Sequence, residues 1–178
     1  CIIADNNGPI ALGGIIGGEL TSISENTKRI VIESATFDPV FVRKASRILG
    51  VRTEASTRFE KGLPIELAPL ALKRVAYLFK RISRGTFRGF IDISLFKEEK
   101  KTILLRNERV NKILGSSLSE EEILKILKKL NFEYRKINNE VIEVIPPYFR
   151  KDINIEEDLI EEIGRIYGYD KIPYTLPY

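Results

Sequence analysis

Five consecutive charged residues, Lys-Glu-Glu-Lys-Lys at positions 97–101, limit what this chain can fold into. They lie just past the middle of the 178 residues and interrupt the apolar periodicity on both sides. Because such a run offers no apolar side chain to a core, it is typical of a boundary between domains. The sequence therefore predicts two units, residues 1–96 and 102–170, with 97–101 as a charged linker and 171–178 as a lead into a further module.

The composition is that of a folded protein and excludes several kinds of site. The chain is 43% hydrophobic and 30% charged, and none of its apolar runs approaches the roughly 20 residues of a membrane helix. It lacks a secretory signal as well, so we expect a cytoplasmic protein with no membrane partner. Because Cys1 is the only cysteine and there is no histidine, a disulfide framework, a multi-cysteine metal site and an imidazole base are excluded. The lack of Met and the strand-like start lead us to expect a piece of a longer protein.

The first unit mixes glycine-rich turns, strand-like runs and amphipathic helices. Asp38 followed by Pro39 predicts the start of a helix, since Asp caps helices and Pro favours the first helical position. The full prediction is extended backbone at 1–12, a glycine cluster at 13–18, a strand at 29–35, a helix at 39–49, a loop at 51–62, a helix at 64–83 and a strand at 87–96.

The second unit has the order of elements of a winged-helix module. Ser119 and Glu122 form a capping-box pattern before an apolar stripe, and Gly115 predicts the end of the preceding helix. The full prediction is a strand at 103–106, a helix capped by Asn107, the helix after Ser119, strands at 132–137 and 141–145, and a helix after Asn154. The fold class we expect is α+β, with a partial mixed first unit followed by a winged-helix-like second unit.

A winged-helix unit also suits a nucleic-acid-binding protein without enzymatic activity. Lys125, Lys128 and Lys129 stand at helical spacing, where they can face phosphates. Three glutamates at 120–122 lead the same helix and would repel a duplex, so we favour a solvent-exposed face for the lysines. A non-enzymatic winged-helix nucleic-acid-binding protein is the alternative function.

The last predicted helix carries an acidic face. The net charge of the chain is +4, but residues 152–178 hold 7 acidic and 2 basic side chains. Asp158, Glu161 and Glu162 stand at i, i+3 and i+4, so a helix presents them together. A hard cation such as Mg²⁺ would relieve their repulsion through oxygen ligands, and Asp152 can join from just before the helix. A solvated acidic face that favours the helix dipole is the more common structure for this pattern.

A second candidate site combines the glycine cluster with one carboxylate and a polar loop. Four glycines within residues 13–18 let backbone N–H groups approach a ligand. With Glu33 and the hydroxyl groups of residues 53–57, they can bind a polarised carbonyl and hold a water without histidine. A turn-rich hairpin with a strand-end glutamate explains the same residues, and the residues alone favour that explanation.

Four regions of the chain resemble one family closely, and they occur in that family's order. They are 10–18 (IALGGIIGG), 32–37 (IESATF), 53–62 (TEASTRFEKG), and 156–163 (EEDLIEEI) with 165–173 (RIYGYDKIP). The family is the β subunit of bacterial phenylalanyl-tRNA synthetase, and the resemblance covers nearly the whole chain. It implies the later part of the B3/B4 editing domain in residues 1–96 and the winged-helix-like B5 domain in residues 102–170.

The resemblance implies an editing function for the first unit. In that family the editing domain hydrolyses tyrosine attached to the phenylalanine tRNA, because a second site can select on the added hydroxyl group. By position, Gly17 would contribute backbone donors and Glu33 would meet the tyrosine hydroxyl. Thr53 and Ala55 would line the pocket. The family's pocket histidine lies upstream of this chain, so we expect no catalytic residue here and little activity of the chain alone.

The resemblance also implies a magnesium site and partners. Asp152, Asp158, Glu161 and Glu162 match the family's Mg²⁺ positions, at a site facing the α subunit, which holds the ATP and phenylalanine chemistry. The whole enzyme is expected to be an ATP-dependent ligase that binds tRNA(Phe) and works as an α₂β₂ tetramer. The resemblance therefore favours a metal over the solvated face for the acidic helix.

Overall fold

The chain divides into two compact units, each with helices and a small antiparallel sheet. The first spans Cys1–Lys97 and the second Glu98–Tyr178. The computed structural model describes residues 1–83, 85–94 and 100–172. Both units combine helices with a three-stranded sheet, which confirms the predicted α+β class.

Parts of two predictions lie outside the described residues. These are residues 97–99 of the charged linker and 173–178 of the lead into a further module. Among the helices that the structure describes, none is long and apolar enough to span a membrane.

The first unit begins with a sheet and continues with helices. Its elements are β1 (Ile2–Asp5), β2 (Gly8–Leu12), β3 (Ile16–Gly17), a 3₁₀ turn (Glu19–Thr21), α1 (Pro39–Leu49), α2 (Glu54–Phe59) and α3 (Leu67–Ser83). The strands lie in the order β1-β2-β3 and pair antiparallel. The turn between β1 and β2 is stabilised by Asp5, whose Oδ1 accepts a hydrogen bond from the backbone N–H of Asn7 at 2.7 Å.

Helix α1 begins and ends as the sequence predicts. The Oδ1 atom of Asp38 accepts hydrogen bonds from the backbone N–H groups of Val40 at 2.8 Å and Phe41 at 3.0 Å. These bonds satisfy donors that have no partner inside the helix. Gly50 ends the helix with a φ of 64°, a left-handed conformation that glycine adopts without strain.

Two predicted strands are wrong within the described residues of the first unit. Residues 29–35 form no strand, and the Oγ of Ser34 instead donates to the carbonyl oxygen of Ala68, 2.7 Å away. Residues 87–94 form no strand either, and 95–96 lie outside the described part. β-Branched side chains favour extended backbone, but a strand also needs a neighbouring strand to pair its N–H and C=O groups.

The predicted loop at 51–62 is also wrong, because it contains α2. Thr53 caps this helix in a capping box whose third helical residue is Ser56. The sequence did not indicate the box, since its usual partner at that position is Glu or Gln. The following helix, α3, begins at Leu67, three residues after the predicted start at Pro64.

The second unit follows its predicted order closely. Its elements are β4 (Ile103–Arg106), α4 (Asn107–Leu114), α5 (Glu120–Lys129), β5 (Glu133–Lys136), β6 (Val141–Ile145), α6 (Glu156–Tyr167) and a 3₁₀ turn (Tyr169–Lys171). The sheet has the order β4-β6-β5, with both pairs antiparallel. Asn107 is the first residue of α4 rather than its cap, whereas the left-handed Gly115 and the Ser119 capping box are confirmed. The arrangement is compatible with a winged-helix unit.

Hydrophobic burial differs sharply between the units. In the second, α4, α5 and α6 enclose one face of the sheet, and Leu105, Ile123 and Ile142 are completely buried in this core. In the described part of the first unit, only three apolar side chains, those of Ile15, Val42 and Pro64, are buried. Because burial of apolar surface is the main stabilising contribution to folding, the second unit is the more strongly stabilised of the two.

Alternation along β4 provides a matched test of this core. Leu105 is completely buried, whereas its neighbour Leu104 is 55% exposed. We expect Leu105→Ala to lower the free energy of unfolding by about 2–5 kcal/mol, because it removes buried apolar atoms and leaves a cavity. Leu104→Ala is expected to cost well under half of that. Amide hydrogen exchange of β6 measures both, and equal effects would contradict the assigned core.

Candidate functional site

The four residues predicted for the first unit lie around one cleft. Gly17, Glu33, Thr53 and Ala55 all line an open cavity of about 620 Å³. They come from β3, the extended segment before α1, and the start of α2. The structure therefore brings together residues that are separated by up to 38 positions in the sequence.

Apolar side chains form most of the remaining wall. These side chains were not among the predicted site residues, and they include Ile15, Phe37, Phe59, Leu63, Pro64 and Leu67. The rings of Phe37 and Phe59 pack edge to face with their centroids 5.1 Å apart. Both phenylalanines lie inside the sequence regions that carry the family resemblance, and this position was the sequence signal that could have identified them as cleft residues. The cleft is thus suited to an apolar or aromatic group with a polar end.

Thr53 joins two walls of the cleft through its hydroxyl group. Its Oγ1 donates to the carbonyl oxygen of Ile15 at 2.7 Å and accepts from the backbone N–H of Ser56 at 3.1 Å. The first bond holds the glycine segment and the second starts α2. Ser56 is almost fully buried and returns the contact, since its Oγ accepts from the backbone N–H of Thr53 at 2.9 Å. The position of Thr53 in the cleft is therefore set by the backbone on both sides.

Two adjacent glycines in the glycine cluster differ in how much space surrounds them. A Cβ atom added at Gly17 would meet no atom within 4 Å, whereas one at Gly18 would lie 2.5 Å from the carbonyl oxygen of Ile10. Gly18 is therefore required by the close approach of β2, to which its N–H donates at 2.8 Å. Gly17 instead lines the cleft, and an added Cβ atom there would have open space around it.

Glu33 places a carboxyl group at the edge of the cleft. Partial burial raises the pKa of Glu33 above its ordinary value, because the charged form loses contact with water. The described residues include no cation in an ion pair with it. A hydrogen-bond donor on a ligand would therefore find an acceptor that is incompletely solvated.

In the second unit, Asp158 acts as a cap at the start of α6. Its Oδ2 accepts hydrogen bonds from the backbone N–H groups of Asn154 at 2.7 Å and Ile155 at 3.0 Å. A carboxylate at this end of a helix is also favoured by the helix dipole. Asp158 is thus occupied with backbone donors that precede the helix.

Glu162 and Asp152 are bound by arginines. Arg150 contacts both carboxylates, and Arg165 contacts Glu162 with Nη2 2.6 Å from Oε2. Hydrogen bonds from Arg150 and Arg165 lower the pKa of Glu162 to about 2. Hydrogen bonds from Arg150 likewise lower the pKa of Asp152, and both carboxylates raise the pKa of Arg150.

The four residues predicted to bind magnesium do not form a ready ligand set. Within the described residues there is no group of three or more acidic, histidine or cysteine side chains placed to hold a metal. Asp158 faces backbone N–H groups, Asp152 and Glu162 face guanidinium groups, and Glu161 is exposed. These donors do not fit a metal in the present arrangement, so the magnesium site stays a prediction and no reaction step is assigned to it.

Family models match both units of the chain. The B3/4 domain matches residues 1–84, and the tRNA synthetase B5 domain matches residues 103–169. The class of protein is therefore one with a B3/4 domain followed by a tRNA synthetase B5 domain.

Curated relatives extend this result. Three relatives are named phenylalanine–tRNA ligase beta subunit. Their sequence identity to this chain is 42% over 177 residues for the protein of Staphylococcus epidermidis, 45% over 189 residues for that of Staphylococcus saprophyticus and 42% over 186 residues for that of Staphylococcus aureus. Each match covers 99% of this chain and 22% of the relative. The chain thus carries a B3/4 domain and a tRNA synthetase B5 domain, is similar over nearly its whole length to phenylalanine–tRNA ligase beta subunits, and spans about a fifth of the length of these relatives.

Replacing Thr53 tests the link between the two walls of the cleft. Thr53→Val keeps the shape but leaves the carbonyl oxygen of Ile15 and the N–H of Ser56 without a partner, so we expect a loss of about 1–3 kcal/mol in local stability. Hydrogen exchange should rise in α2 and in the glycine segment together. Thr57→Val is the control, since its Oγ1 bonds only to the carbonyl oxygen of Thr53 in the preceding turn. If exchange rises in α2 alone, Thr53 does not join the walls.

Proposed function

We propose that the first unit contributes the amino-acid pocket of a hydrolytic editing site in a phenylalanine–tRNA ligase beta subunit. The observation that carries the proposal is the convergence of Gly17, Glu33, Thr53 and Ala55 on one cleft. The B3/4 match and the names of the relatives support the same assignment. The substrate of this pocket is tyrosine attached to tRNA(Phe).

The cleft has the physical properties needed to select tyrosine over phenylalanine. Apolar walls, including Phe37 and Phe59, accommodate the ring that both amino acids share. The carboxyl group of Glu33 accepts a hydrogen bond from the tyrosine hydroxyl, whereas phenylalanine offers this carboxyl group no donor. The small side chain of Ala55 leaves room for the hydroxyl.

The role that we assign to this chain is recognition of the substrate. It contains no histidine, and its only cysteine, Cys1, does not line the cleft. The hydrolytic groups, and the walls that complete the pocket, come from other parts of the larger protein. Little editing and no aminoacylation is therefore expected from the chain alone.

The larger protein is, on this proposal, a subunit of an ATP-dependent ligase that attaches phenylalanine to tRNA(Phe). Its partner is the α subunit, in an α₂β₂ tetramer located in the cytoplasm. A Mg²⁺ ion at Asp152, Asp158, Glu161 and Glu162 belongs to the same proposal only if the arginines leave their carboxylates when the subunits assemble.

The alternative, a non-enzymatic nucleic-acid-binding protein, depends on the exposed lysines of α5. Lys125, Lys128 and Lys129 are all exposed on that helix. However, Glu120 pairs with Lys136 and Glu122 caps the helix, so acidic groups stay at its start. Salt-dependent binding of the chain to duplex DNA in preference to tRNA(Phe) would favour the alternative.

Glu33 is the residue whose replacement tests the editing proposal. In the complete ligase, Glu33→Ala is expected to slow hydrolysis of tyrosyl-tRNA(Phe) about tenfold or more, because the tyrosine hydroxyl loses a charged acceptor. Release of free tyrosine over time measures the rate. Glu66→Ala, an exposed carboxylate outside the cleft lining, is the matched control and should change little. Hydrolysis of tyrosyl-tRNA(Phe) at the unchanged rate by Glu33→Ala would overturn the proposal.

Filling the cleft from Gly17 provides an independent test. Gly17 lines the cleft and a Cβ atom there would meet no atom within 4 Å, so Gly17→Leu is expected to fold normally and to block tyrosyl-tRNA(Phe) hydrolysis by occupying the pocket. Circular dichroism reports the fold and tyrosine release reports the activity. Gly18→Leu should instead destabilise the β2–β3 hairpin, since its Cβ would clash with Ile10. A Gly17→Leu ligase that folds and still edits at full rate would show that the cleft is not the pocket.

A further inference from the structure

Arg150 lies between two of the four carboxylates that were predicted to bind magnesium, those of Asp152 and Glu162. Its Nε and Nη2 donate to the Oδ1 and Oδ2 atoms of Asp152 at 2.9 and 2.6 Å. On the other side, its Nη1 and Nη2 lie 3.1 Å from the Oε2 and Oε1 atoms of Glu162. One guanidinium group thus makes paired contacts with two carboxylates.

The contacts of Arg150 are better sheltered than those of other cations near α6. Its side chain is 22% exposed and that of Glu162 is 11% exposed, whereas Arg165 on the same glutamate is 49% exposed. The planar guanidinium group contacts both oxygen atoms of each carboxylate. A metal ion would need the same oxygen lone pairs as ligands. Arg150 and Arg165 together balance the charges of Asp152 and Glu162, whereas Asp158 is held by backbone N–H groups and Glu161 is exposed.

We infer that Arg150 is the built-in counter-ion of Asp152 and Glu162 and stands where a divalent cation would otherwise be required. It ties the segment before α6 to the second turn of that helix, because it contacts Asp152 in the segment and Glu162 in the helix. α6 therefore folds around a guanidinium group and is independent of magnesium. This inference concerns the second unit and does not rest on the editing proposal.

The experiment is hydrogen exchange of the α6 amides in the 178-residue chain, with the β6 amides as an internal reference for the core. For the unsubstituted chain, we expect the same α6 protection in EDTA and in millimolar MgCl₂. Arg150→Gln is expected to increase α6 exchange about tenfold or more, because the sheltered Glu162 loses its more enclosed partner and the exposed Asp152 loses its link to the helix. Arg150→Lys should give an intermediate effect, since a point charge cannot make paired planar contacts.

Arg165→Gln is the matched control. It removes a cation from the same Glu162 but leaves Asp152 and the more sheltered arginine in place, so a clearly smaller increase in α6 exchange is expected. Protection of α6 by MgCl₂ in the unsubstituted chain would overturn the inference, and this measurement needs no variant. An Arg150→Gln chain with unchanged α6 exchange would overturn it as well.

Discussion

The cleft of the first unit depends on the hydroxyl group of Thr53. That group is at once a donor to the glycine segment at Ile15 and the acceptor that begins α2 at Ser56. It thus connects two walls of the cleft that are 38 positions apart in the sequence. Thr53, which was predicted to line the substrate pocket, therefore also has a structural role. Because it caps α2, it also fixes the position of Ala55 in the first turn of that helix.

The two units are stabilised in different ways, and this suits what each contributes. The second unit encloses a continuous apolar core that includes Leu105 and Ile163, so its helices are fixed by burial. The first unit has few buried apolar side chains and is stabilised in part by local hydrogen bonds at helix starts, such as those of Asp38. Ligand-binding regions are drawn from the less stable parts of proteins, because they must admit a substrate. The cleft lies in the unit with the smaller buried apolar core, where local opening requires less free energy.

Local signals made most of the fold predictable, and tertiary contacts explain what was missed. Asp38 and Gly115 mark helix ends through bonds within a few residues, so their sequence pattern is sufficient. The α2 capping box escaped notice because Ser56 replaces the usual longer partner. The motif positions pointed to four residues that line one cleft in the structure, and their role in binding stays a prediction. The pairing of Arg150 with Glu162 joins residues 12 positions apart across a bend, which charge counting along the chain does not reveal.

The sheltered position of the contact between Arg150 and Glu162 sets how the second unit responds to ionic strength. Mobile ions screen charges that face water, as they do for Arg58 and Glu54, whose side chains are 73% and 89% exposed. They reach a largely enclosed guanidinium–carboxylate contact far less. The start of α6 is therefore held by an electrostatic contact that persists in concentrated electrolyte, where surface ion pairs elsewhere in the molecule have lost their effect.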